Sequence, residues 1–76
     1  MKIRINSIED AIKLSKLCNQ FKDGVDVTDG HFIVDGKSQM GLLAISTSKD
    51  LTINILTDNV YTRKSFEEVI KDFIIK

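Results

Sequence analysis

Serine, histidine and cysteine are the side chains of this sequence that could carry group-transfer chemistry. His31 is the only histidine and Cys18 the only cysteine. One imidazole and one thiol are too few ligands for a structural zinc site, and a lone cysteine cannot close an internal disulfide. Cys18 falls on the apolar stripe of a predicted helix and reads as a small buried core residue, not an activated thiol. His31 follows Asp29-Gly30 and reads as a solvent-facing turn residue. Ser7 and Ser38 each precede a helical pattern, where serine caps a helix by accepting a backbone N–H. A serine hydroxyl titrates far above neutrality, and no His, Lys or Asp is evidently placed to activate Ser7. No Gly-rich phosphate loop, nucleophile-plus-base spacing or carboxylate pair with a role appears. The chain reads as a non-enzyme without metal or cofactor.

The whole sequence bounds the remaining classes. It has 76 residues, 42% hydrophobic and 29% charged, the balance of one small globular domain. Eleven basic residues cancel eleven acidic ones, so no long-range field draws the chain to nucleic acid or to an anionic membrane. The few aromatics do not alternate with Lys or Arg as a base-stacking surface would require. No stretch is long enough to span a bilayer, and no apolar N-terminal run precedes a cleavage-like site. With the single thiol, this points to the cytoplasm.

Periodicity places these residues on elements. Met1 to Ile5 alternates as a half-buried strand. A helix follows from about Ile8 to Gln20, with Ser7 at its N-cap and Asp10 near a capping box. Its core stripe is Ala11, Leu14, Leu17, Cys18 and Phe21. Val25 to Thr28 alternates as a second strand, Asp29-Gly30 signals a two-residue hairpin, and a third strand turns Phe32 and Val34 inward with Ile33 opposite. A short helix spans about Ser38 or Gln39 to Ile45, although Gly41 weakens it. Leu51 to Leu56 is the clearest strand, its odd positions facing the core. The last helix runs from about Ser65, or a turn earlier, to Ile75, with Ser65 and Glu68 as a second capping-box pair and Phe66, Val69, Ile70 and Phe73 on its apolar face. The order is strand-helix-strand-strand-helix-strand-helix. One four-stranded antiparallel sheet with three helices on one face, an α+β fold, satisfies it.

The run Val34-Asp35-Gly36-Lys37-Ser38-Gln39-Met40-Gly41-Leu42-Leu43 resembles the regulatory-serine segment of HPr, the histidine phosphocarrier family of the bacterial phosphotransferase system. Lys37-Ser38, Met40-Gly41 and the trailing Leu42-Leu43 carry the likeness. Phe21 closing the first helix and the Ser48-Lys49-Asp50 turn before Leu51-Thr52-Ile53 extend it over nearly the whole chain. The resemblance implies the open-faced sandwich of that family. It also implies a departure at the chemistry. The family's active His-Ala-Arg-Pro motif falls on Ser7-Ile8-Glu9-Asp10, so the histidine position is Ser7 and the arginine position is Glu9. Two carboxylates beside a phosphoryl dianion repel it. Ser38 matches the serine that a kinase phosphorylates in Gram-positive relatives, whose modified form binds a transcriptional regulator; Gln39 stands where the family has an apolar residue. Met40 and Leu43 match family positions that touch partners.

Ile8 and Ile12 lie about 120–150° from the centre of the core stripe at about 100° per residue. Together with Met40 and Leu43 they are a candidate protein interface, with a small satellite cluster as the plain alternative. The function expected is a binding or regulatory module that cannot relay phosphate through histidine, with protein partners from the phosphotransferase system or its regulation. The alternatives are a phosphocarrier or regulatory protein phosphorylated on Ser38, and a weakly self-associating structural module.

Overall fold

Ser7 opens the first helix, α1, over Ile8–Cys18. Its backbone is extended and its Oγ accepts from Asp10 N at 3.1 Å, satisfying one of the N–H groups that a helix start leaves free. The computed structural model, which describes residues 1–75, adds α2 over Gln39–Ile45 and α3 over Val60–Val69, followed by a 3-10 turn at Lys71–Phe73. The strands are β1 (Lys2–Ile3), β2 (Val25–Thr28), β3 (Ile33–Asp35) and β4 (Leu51–Ile55). They form one sheet in the order β1-β4-β2-β3, every neighbour antiparallel. This is the HPr-like open-faced sandwich in outline.

Strand alternation explains why helices cover one face. Val25 and Val27 of β2 and Leu51, Ile53 and Ile55 of β4 are buried, while Asp26, Thr28, Thr52 and Asn54 take the other face. The buried residues join Ala11, Leu14 and Cys18 of α1, Leu42 and Ile45 of α2, and Phe66 of α3 in one apolar cluster. Phe21 meets Phe66 edge-on, with ring centroids 5.3 Å apart, and so seals the end of α1 against α3. Ser15 is also buried on the core side of α1; its Oγ donates to Ile12 O at 2.8 Å, which removes the penalty of burying a hydroxyl. No helix among the described residues is long and apolar enough to cross a membrane.

Three sequence expectations change. α3 begins at Val60, close to the earlier of the two expected starts and not at Ser65, because Asn59 Oδ1 accepts from the N–H groups of Tyr61 and Thr62. Ser65 is therefore an exposed residue inside the helix, and the helix stops at Val69. The stretch 73–75 turns back along β1: Arg4 N donates to Phe73 O, Ile75 N donates to Lys2 O, and Ile3 bridges Ile74. Second, Asp29-Gly30 is not a two-residue hairpin. Thr28 pairs with Ile33, leaving a loop of residues 29–32. Asp29 Oδ1 accepts from His31 N and Phe32 N, both at 2.9 Å, and Gly30 takes φ +97°, which a side chain would disfavour. Third, Phe32 does not reach the core; it is 71% exposed at the free β3 edge.

Candidate functional site

The N-terminus of α1 is the place where the sequence puts its chemical question. Ser7 is exposed, and its Oγ is occupied as a cap. One residue earlier, Asn6 N donates to Asp10 Oδ2 at 3.1 Å, so the Asp10 carboxylate folds back over the helix entrance. Glu9 adds a second, exposed carboxylate to the first turn. Both stabilise the positive end of the helix dipole. Their negative charge makes this helix start unfavourable for a further anion.

Beside this entrance lies an open cleft of about 350 Å³ lined by Arg4, Ile5, Asn6, Ser46, Thr47, Ser48 and Lys49. Its two cations come from the end of the first strand and from the loop after α2, elements far apart in sequence. Sequence reading missed this cleft because no local pattern joins positions 4 and 49. His31 is not among its lining residues. It sits in the β2–β3 loop, three strand spacings across the sheet from the β1 side, on the order of 14 Å.

Ser38 caps α2. Its Oγ accepts from Gly41 N at 3.1 Å, its carbonyl accepts from Leu42 N, and its own N–H donates to Asp35 O. The residue is half-buried, and Lys37 precedes it with its N–H on Asp35 Oδ1 at 2.9 Å. Asn19 Nδ2 donates to Lys37 O at 3.0 Å, so the end of α1 meets the start of α2. The segments before α1 and after α2 share the cleft described above. The two helices therefore run antiparallel.

That direction decides how the candidate interface is laid out. Ile8 and Met40 are strongly exposed, at 66% and 82%. They stand near opposite ends of the helix pair, separated by roughly the length of α1, about 16 Å. Ile12 and Leu43 lie between them and are half-buried; Leu43 packs against the core. The four residues are thus spread along the helix pair, and only Ile8 and Met40 are strongly exposed. Ser7 and Ser38 are likewise at opposite ends of the pair.

Cys18 is fully buried and unpaired. Burial pushes its thiol up to about 12, with the Lys37 charge acting to lower it and the Asp35 charge to raise it. A thiol held protonated is a poor nucleophile. Among the described residues no group of three or more His, Cys, Asp or Glu is placed to hold a metal ion.

No protein-family model, curated protein or solved structure matches this chain.

Proposed function

We propose that this chain is a non-catalytic binding or regulatory module related to the HPr phosphocarriers, working in the cytoplasm through contacts with proteins of the phosphotransferase system or its regulation. The observation that carries the reading is the α1 entrance. A capping hydroxyl and two first-turn carboxylates stand there in place of an imidazole and a guanidinium. Such an entrance favours helix formation and disfavours a phosphoryl group awaiting delivery. The exposed Ile8 and Met40 of the helix pair supply apolar contact area for a protein partner.

The test is incubation with the first enzyme of the phosphotransferase system and labelled phosphoenolpyruvate. No acid-labile phosphate is expected on this chain, and its appearance would sink the reading. Pull-down from native cytosol with the Ile12→Lys and Met40→Lys variants tests these contacts; loss of the same partners from both is expected.

A second reading, regulation by phosphate on Ser38, is favoured by the place of that hydroxyl at the start of α2 next to Lys37. A phosphate is electrostatically tolerable at a helix start. Incubation with the HPr kinase and ATP tests it. Equal labelling of the natural chain and Ser38→Ala removes the site.

A further inference from the structure

Among the described residues no strand pairs with the outer edge of β3. Gly36 N donates to Val25 O and Asp29 N donates to Phe32 O. In an antiparallel ladder these bonds alternate, so Val34 faces β2 and the peptide groups of Ile33 and Asp35 face outward. Asp35 O is already taken by Ser38 N. Ile33 N–H, Ile33 C=O and Asp35 N–H are left along the edge. Ile33 itself is 71% exposed, as is Phe32, an unusual amount of apolar surface beside free strand groups. An apolar groove of about 360 Å³ runs along the helix side of this edge, lined by Asp29, Phe32, Ile33, Val34, Ala44 and Ile45.

We propose that a second copy of this chain occupies this edge, by antiparallel pairing of β3 with β3 about a two-fold axis at Ile33. In that register Ile33 meets Ile33 and the two exchange both N–H···O=C bonds, while Asp35 N–H faces the His31 carbonyl and His31 N–H stays on Asp29 Oδ1. Phe32 of one copy falls opposite Val34 of the other, over the groove floored by Ala44 and Ile45. Asp35 falls opposite His31, a carboxylate facing an imidazole. The neighbouring registers are worse. Centring on Val34 sets Asp35 against Ile33 and strands Ile33 N–H before the Asp35 carbonyl already bonded to Ser38, so fewer edge bonds form. Centring on Asp35 opposes two carboxylates. Hydrogen bonding and charge together select the register, and the groove lies beside the Phe32 ring. The three-residue strand makes the pairing weak and reversible. This inference does not rest on the HPr reading, and it leaves Ile8 and Met40 free.

Sedimentation equilibrium and amide NMR shifts test it on the full chain. Between about 20 µM and about 1 mM the mass is expected to rise from one chain toward two, as a small interface allows. Shifts are expected at His31, Ile33, Asp35, Ala44 and Ile45. Ile33→Lys sets two ammonium groups together at the axis and is expected to weaken association at least tenfold, whereas Met40→Lys leaves it unchanged. A monomer throughout that range overturns the proposal. So do association that survives Ile33→Lys in a folded variant, and shifts centred on Ile8 and Met40. If Ile33→Lys fails to fold, the shift map of the natural chain decides alone.

Discussion

Gly36 and Val25 approach so closely that a β-carbon on Gly36 would fall 2.7 Å from Val25 Cγ1 and 3.3 Å from Val25 O. Gly36 N donates to the same carbonyl at 2.7 Å, so the contact fixes how β3 leaves the sheet for α2. Gly36→Ala must push Val25 out of the core or break that bond. A loss of about 1–3 kcal/mol is expected in urea unfolding, and a variant as stable as the natural chain would show the approach to be relaxed.

Asn19 Nδ2 bonds both Ser15 O and Lys37 O, so one amide closes α1 and ties it to α2. Asn19→Ala is expected to cost about 1 kcal/mol. Amide exchange should quicken at the start of α2 more than in the sheet.

Asn59, not Ser65, sets the start of α3. Asn59→Ala is expected to lower stability by about 1 kcal/mol, the usual cost of removing a side-chain cap. Ser65→Ala is expected to be neutral within about 0.5 kcal/mol. The reverse ranking in thermal melts would return the helix start to Ser65.

Cys18 makes stability fall at alkaline pH. Its folded thiol is held near 12 against 9.0 for the free group. The native chain therefore keeps a proton that the unfolded chain releases. The contribution is complete below 9.0 and is lost as pH rises toward 12, by up to about 1.4 kcal/mol per pH unit. Urea midpoints measured from pH 8 upward should fall more steeply for the natural chain than for Cys18→Ala. Parallel slopes would mean the thiol is not shielded.

The sheet and the helix faces were legible in the sequence because their signals are local. Alternation marked β4, and the 3.6-residue stripe marked α1 through Ala11, Leu14 and Cys18. The caps at Ser7 and Ser38 were legible for the same reason, since a cap bonds three residues ahead. The α3 cap was missed because Asn59 precedes Val60-Tyr61-Thr62, β-branched and aromatic residues that read as helix-poor, while Ser65 and Glu68 offered a familiar spacing. The 29–32 loop was lost because Asp29-Gly30 matches a tighter turn, and only the Thr28–Ile33 register shows the two further residues. The Arg4–Lys49 cleft and the antiparallel run of α1 and α2 depend on tertiary placement. No window along the chain holds both sides of either one.

Residues 73–75 lie along β1 and give it a neighbour from within the same molecule. Among the described residues no segment lies in the same way beside β3. A further strand can reach β1 directly only by displacing these residues, whereas β3 can be paired as it stands.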